Sequence, residues 1–416
     1  MLDPRKMDFR FAYRPARILR HAVGPARCLL DLAYLKLSSG TRQAAFGGDR
    51  VVKVALVSDR DAPTSEQQLY PFSFYRPDLR DGLRLVSAPL VLGHVLRAPK
   101  LILSPFDIVV LKMSFRTSAA EASNVVRTIA EGLNGQRLIY FDGDDDICVQ
   151  WPEILPYVDL YIKKHLFRDR NQYLRRFIGK SNLTDFVYRE YDHSFSDNPV
   201  STETKPIPAD QLSKLSIVSN LASDRNILAL YKAIHRHSLV GPRENDIVFR
   251  GSIPSNWMSY LRRDIEPALR RLGQHYRIMI TDRPVPPDEY YQEMRSSKIC
   301  ISPFGYGEIC WRDFEAILCG CLLIKPDMGH IETNPDVFKP YRTYVPVRWD
   351  YSDLEEKCRQ YLECEHDRQR IVWEAFRALG EFYNNGGFIS AVSGMLERVR
   401  ERGLVQRAVP AHAAGN

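Results

Sequence analysis

Short apolar runs with polar ends alternate with helical stretches along most of the chain. Val51–Val57 (VVKVALV) closes on Ser58-Asp59, the pattern of a strand buried on both faces with a polar carboxyl end. Asp107–Leu111, Arg137–Phe141 and Val158–Ile162 read the same way, and Ala119–Leu133 reads as a helix stopped by Asn134-Gly135. From His193 to Gln211 the chain is rich in Ser, Pro and Thr and shows no apolar periodicity, so it reads as a linker. A second series follows. Strands are expected at Lys214–Val218, Ile247–Phe249, Arg277–Ile280, Lys298–Ile301, Cys321–Ile324 and Thr343–Val347. Helices are expected at Asn226–Ile234, Trp257–Leu272, Asp288–Arg295, Arg312–Cys319 and Ser390–Arg400. This alternation predicts an α/β protein with two doubly wound, Rossmann-like domains facing each other across a cleft. The expected domains are 49–192 and 213–375, joined by a linker at 193–212. An N-terminal helical arm (1–48) precedes them, and a C-terminal helix with a tail (376–416) crosses back onto the first domain.

The segment from Lys298 to Asp327 (KICISPFGYGEICWRDFEAILCGCLLIKPD) carries the densest chemistry. A strand leads into a turn with Gly305 and Gly307, and a helix begins near Cys310. Such glycines let backbone N–H groups approach a ligand at a helix N-terminus, where partial positive charge suits a phosphate or a hydroxyl. Glu308 and Glu315 are seven apart, and so share a face if both are helical. Arg312 lies between them, where a guanidinium beside two carboxylates can clamp a diphosphate and a ribose. A solvated helix face with one Arg–Glu pair is the competing reading. Asp142-Gly143-Asp144-Asp145-Asp146 at the end of an earlier strand admits three readings. The cluster can chelate Mg²⁺ or Mn²⁺, Asp142 or Asp144 can act as base toward an acceptor hydroxyl, or the cluster can cap the turn. Lys163-Lys164-His165 follows the next strand, and a lone histidine there reads as structural.

GYGEICWRDFEAILCGCLLIKPD resembles the donor-site motif of GT-B glycosyltransferases, of the family 1/4 or exostosin-like kind, over about residues 245–360. That resemblance implies that Glu315, with Ala316, binds the ribose of a nucleotide sugar. Glu308 would lie near the donor sugar or leaving diphosphate, and Arg312 would hold the diphosphate. Six residues rather than the commoner seven separate the two glutamates. Arg250-Gly251, after a strand, would meet the diphosphate, although a plain surface arginine is an equal reading. Gly329-His330 would border the donor sugar, Glu332 would accept a hydroxyl hydrogen, and Thr281-Asp282-Arg283-Pro284 would border the base. The resemblance implies no essential metal, no cofactor beyond the donor itself, and a glycan or lipid-linked acceptor. The expected function is therefore sugar transfer in bacterial cell-surface polysaccharide or glycolipid synthesis. A non-catalytic adaptor that keeps the fold is one alternative. Another is a Rossmann-type nucleotide enzyme, but Ser58-Asp59-Arg60-Asp61 lacks the glycines which that motif needs.

Charge divides the chain unevenly. The net charge is +7, yet residues 1–50 hold ten Lys and Arg against four acids, which leaves the other 366 residues near neutral. Without a basic surplus on the body, no nucleic-acid partner is expected. The arm instead suits an anionic membrane surface, with an extra packed helix as the equal alternative. No apolar run is long enough to span a bilayer: Leu85–Met113 is broken by Arg97, Lys100 and Asp107. The eight cysteines show no paired CxxC spacing, so reduced thiols in a cytoplasmic protein are expected, peripheral on the inner face of the membrane if the arm binds there.

Overall fold

A computed structural model describes residues 50–59, 68–69, 71–72, 83–195, 203–234, 239, 241–251, 256–281 and 285–408. The basic arm, the linker residues 196–202, Asp282-Arg283-Pro284 and the tail from 409 onward lie outside them. The chain forms two parallel sheets, one of six strands and one of five, with helices in the connections. It divides into two compact units: Met1–Phe141 with Tyr157–Asp159, and Asp142–Pro156 with Leu160–Asn416.

The first unit holds β1 (Arg50–Ser58), β2 (Leu83–Val91), β3 (Ile108–Lys112), α1 (Ala119–Gly132) and β4 (Arg137–Phe141). The strands are parallel in the order β2-β1-β3-β4. All five residues of β3 are buried, as a strand covered on both faces requires. α1 starts at Ser118, whose side chain accepts from Glu121 N, and buries Ala122, Val125, Val126 and Ile129 at helical spacing. The apolar run Leu85–Met113 holds most of β2, two short helices (Leu92–Val95 and Pro99–Leu103) and β3. Arg97 and Asp107 fall between these elements, whereas Lys100 lies within the second short helix.

The second unit continues with β5 (Leu160–Lys163), β6 (His165–Phe167), α2 (Asn182–Tyr191), β7 (Leu215–Ile217), α3 (Arg225–Ala233), β8 (Asn245–Arg250), α4 (Ile265–Leu272), β9 (Ile278–Thr281) and α5 (Pro287–Arg295). It then runs through β10 (Ser297–Ile301), α6 (Trp311–Leu318), β11 (Leu322–Pro326), β12 (Ile331–Thr333), β13 (Val345–Val347), α7 (Leu354–Glu363), α8 (Glu365–Asn384) and α9 (Gly387–Ala408). Its five-stranded sheet has the order β13-β11-β10-β8-β9, parallel throughout. Ile247, Phe249, Ile299, Ile301, Leu322 and Ile324 pack there with Ile265, Leu269 and Leu272 of α4. Truncating one of these fully buried aliphatics to alanine costs about 2–5 kcal/mol.

Two features of this unit shape the site. The expected helix Trp257–Leu272 is broken: a 3-10 turn (Trp257–Ser259) capped by Asn256 precedes α4. Arg262 sits in the break and donates to Phe304 O from Nε at 3.0 Å and Nη2 at 2.7 Å, so the interruption lets a buried guanidinium reach the turn after β10. In addition, β6 pairs antiparallel with β12, Phe167 opposite Ile331 and His165 opposite Thr333. At three residues each, neither strand has enough length to show periodicity in the sequence. α9 returns to the segment before β7 and to β7 itself, where Arg398 reaches Ser213 O at 3.0 Å and Ser216 Oγ at 2.5 Å. Among the described residues, no helix is long and apolar enough to cross a membrane.

Candidate functional site

The turn after β10 is fastened from below. Asp313 stands at the third position of α6 and is fully buried. It accepts from Cys310 N at 3.0 Å and Ser302 Oγ at 2.6 Å, and lies 3.1 Å from Lys325 Nζ at the end of β11. An acid at this position of a helix reaches back to the cap, and here it also ties two strand ends together. Within the turn, Gly305 N donates to Gly307 O at 3.0 Å. A Cβ on Gly307 would overlap the carbonyl of Asp145. The glycine is therefore required for the turn to lie against the acidic loop 142–146.

That contact seats Glu308, which is fully buried. Its Oε2 lies 2.8 Å from His165 Nε2, and its Oε1 3.6 Å from His330 Nε2. Burial alone would raise the Glu308 pKa, but the two histidines outweigh it and hold the carboxyl well below its usual range. Burial pushes the His165 pKa down, against the pull of Glu308. A neutral His165 that donates Nε2–H to an ionised Glu308 satisfies both directions. Glu308 Oε1, His330 Nε2 and His165 Nδ1 are buried without a hydrogen-bond partner.

α6 presents the other two sequence-selected groups. Glu315 accepts from Tyr290 OH at 2.7 Å and Tyr291 OH at 3.1 Å, both on α5. Burial raises its pKa while the two phenols oppose the rise. Arg312 carries a buried Nε with no hydrogen-bond partner. Its pKa is raised: burial works against the charge, but the polar groups of Cys310 and Tyr290 outweigh it. Arg312 and Glu315 stay on one helix, and Glu308 lies in the turn before it, outside α6. At the end of β8, Arg250 is buried and ion-paired with Glu293. Gly251 packs against the Phe249 ring, 3.2 Å from the position of a Cβ.

The acidic loop has a different character. Asp142 is fully buried and accepts from Tyr161 OH at 2.7 Å, Lys163 Nζ at 2.9 Å and Asp144 N at 2.8 Å. Lys180 Nζ lies 2.6 Å from Asp144 Oδ2 and 3.1 Å from Asp146 Oδ2, and Lys164 lies 2.5 Å from Asp145. Burial and the neighbouring Asp144 push Asp146 up to about 7, with Lys180 and Lys163 opposing. The four carboxylates thus share three lysines. Among the described residues, no group of three or more His, Cys, Asp and Glu side chains is placed to hold a metal ion.

Beyond His330 lies a cavity of about 590 Å³ lined by residues of β6, the segment after it, α2, the Gly329-His330 turn and Trp349. Arg168 holds this turn by donating to Gly329 O at 3.3 Å and Ile331 O at 2.8 Å. Sequence reasoning did not select Asp313, Lys325, Arg262 or the two tyrosines, and it read His165 as structural. Only Asp313 had a local signal, an acid at the third position of a helix. The others depend on residues distant in the chain.

Residues 252–385 match a family model described as glycosyl transferase-like. No curated protein matches the sequence. Three solved structures are similar at low identity. An alpha-glucosyltransferase in complex with UDP is 10% identical, covering 81% of this chain and 99% of its own, with a TM-score of 0.42. A glycosyltransferase from Rickettsia africae ESF-5 is 12% identical, covering 85% and 98%, with a TM-score of 0.43. TarM is 9% identical, covering 70% and 54%, with a TM-score of 0.41. This part of the second unit is therefore similar to glycosyl transferase-like domains. The chain has two parallel, Rossmann-like sheets of six and five strands.

Proposed function

We propose that the chain transfers a sugar from a nucleoside-diphosphate donor to a hydroxyl of a bacterial cell-surface polysaccharide or glycolipid, and that the turn and helix from Gly305 to Glu315 hold the donor. The observation that carries this reading is Glu308, fully buried and held ionised between two imidazoles directly after the glycine turn. A buried carboxylate beside neutral partners keeps its negative charge for a reacting group.

In the reaction, the acceptor oxygen bonds to the anomeric carbon as that carbon's bond to the diphosphate breaks. The diphosphate leaves with the electron pair, and Arg312, with its unpartnered Nε, balances the added charge. His330 Nε2 takes the acceptor's proton, and Glu308 Oε1 at 3.6 Å stabilises the resulting imidazolium. Glu315 exchanges its tyrosine hydroxyls for those of the ribose. The arm, with nine basic residues against three acids within residues 1–48, brings this body to an anionic membrane where a lipid-linked acceptor is found.

A thermal-shift panel of UDP, GDP, ADP and CMP tests the donor site. One nucleotide should raise Tm for the wild type and do so much less for Glu315→Ala. No shift with any nucleotide, or an equal shift in the variant, contradicts the assignment. Liposome flotation of the full chain against one lacking residues 1–48 tests the arm. Equal flotation of the two, or none by the full chain, removes it.

A further inference from the structure

We infer that Thr333, fastened by Asn220, is a positioning residue for the reaction: it fixes the backbone that carries His165, and with it the imidazole that orients Glu308. This inference rests on the glycosyl-transfer reading above, in which Glu308 serves the reacting centre. It adds residues that act on Glu308 through its histidine.

The two imidazoles on Glu308 hang from one small ribbon. His165 begins β6, and His330 directly precedes β12. These strands pair only with each other, outside both large sheets, over three residues each. A two-stranded ribbon is marginally stable by itself, so its register has to be held from elsewhere. At one end Arg168 N donates to His330 O at 2.8 Å, and the Arg168 side chain holds the carbonyls of Gly329 and Ile331. At the other end Thr333 stands opposite His165.

Thr333 is buried. Its Oγ1 donates at 2.8 Å to Lys164 O, the carbonyl of the peptide bond that leads into His165, and accepts from Asn220 Nδ2 at 2.9 Å. Asn220 is buried as well and spends its other polar groups on the same grip. Its Nδ2 also donates to Pro335 O at 3.0 Å, its backbone N donates to Asn334 O at 2.8 Å, and its Oδ1 accepts from Ala222 N at 2.8 Å. Asn334 Nδ2 in turn donates to Val218 O at 2.8 Å. A chain of hydrogen bonds therefore runs from Asn220 through Thr333 to Lys164. It ends one residue from the imidazole whose Nε2 lies 2.8 Å from Glu308 Oε2. A satisfied buried network of this kind fixes one arrangement. Valine has the shape of threonine, so the hydroxyl is there for its two hydrogen bonds and not for filling space. A small displacement of a group that orients a reacting carboxylate is enough to slow turnover.

Thr333→Val and Thr333→Ser in the full chain test this with two readouts. One is kcat and donor KM for nucleoside-diphosphate release from UDP-, GDP- and ADP-sugars. The other is hydrogen exchange of the His165 Nε2–H, followed by ¹⁵N NMR. Thr333→Val should exchange that proton about tenfold faster or more and lose about tenfold in kcat at nearly unchanged donor KM. Thr333→Ser keeps the hydroxyl and should match the wild type in both. Asn220→Ala leaves Thr333 in place and should move both readouts in the direction of Thr333→Val, which keeps the test sound if Thr333→Val does not fold. An unchanged kcat in Thr333→Val, with or without faster exchange, makes the network structural and overturns the inference. Thr333→Ser behaving like Thr333→Val overturns it as well. A wild type that releases no nucleoside diphosphate from any donor would instead sink the transfer reading. The exchange readout would then still decide whether the network places His165, so the two failures are separable.

Discussion

Two stretches of this chain look alike in sequence: Asp142–Asp146 after β4 and Gly305–Glu315 after β10. Both place carboxylates and glycines just past a strand end. Their partners set them apart. In the first, Asp142, Asp144, Asp145 and Asp146 share Lys163, Lys164 and Lys180, and Asp146, pushed up to about 7, keeps a proton below that pH, which leaves three carboxylates matched to three lysines. In the second, Glu308 faces imidazoles and Glu315 faces phenols, so the carboxylates are hydrogen-bonded but not neutralised by a neighbouring ammonium. A carboxylate matched to a fixed ammonium serves structure, whereas one held by neutral donors keeps charge for a ligand. The two loops touch where Gly307 meets the Asp145 carbonyl, so the first is the platform on which the second is set.

The largest effect expected from this contrast is on stability. Lys163→Ala strands the fully buried Asp142 and should cost about 3–5 kcal/mol, read by chemical denaturation. A loss under 1 kcal/mol would mean that the loop's charges are not matched as described.

A pH experiment probes the same platform. The folded Asp146 carboxyl, raised to about 7 from 3.8, holds a proton between those values that the unfolded chain releases. Its contribution therefore lowers stability as pH rises through that window. Asp146→Asn removes the titration. The variant's stability relative to wild type should rise between pH 4 and pH 7, by at most about 1.4 kcal/mol per pH unit. A pH-independent difference would show that Asp146 is ionised throughout.

The smallest effect falls on the other loop. Tyr291→Phe removes a 3.1 Å bond to Glu315 and should cost about 1 kcal/mol of stability. Nucleotide affinity should change severalfold as well, measured by calorimetric titration. A change in stability with unaltered affinity would make the tyrosines structural cover alone.

Much of the fold was legible where one local signal sufficed. Arg137–Phe141 is a strand as read, and Gly320, expected as a turn after the helix, has φ 74° and closes α6. Trp257–Leu272 misled because its apolar spacing continues through a break that only the reach of Arg262 to Phe304 explains. The strands β6 and β12 were illegible at three residues each. For the site, the glycine turn and the spacing of Glu308, Arg312 and Glu315 were visible in the sequence. Their partners were not: His165 is 143 positions from Glu308, and the tyrosines of Glu315 sit on another helix. Spacing selected the right segment, and only the packing separated it from the lysine-matched acidic loop.

The central claim is that Glu308 serves the reaction and not the fold. The direct measurement is nucleoside-diphosphate release from UDP-, GDP- and ADP-sugars by wild type and Glu308→Gln, with folding of both followed by melting. The account predicts release from one donor class by the wild type and a loss of about 10²–10³-fold in the variant at nearly unchanged nucleotide affinity. Equal release by both proteins, or a variant that loses its fold along with its turnover, would contradict it.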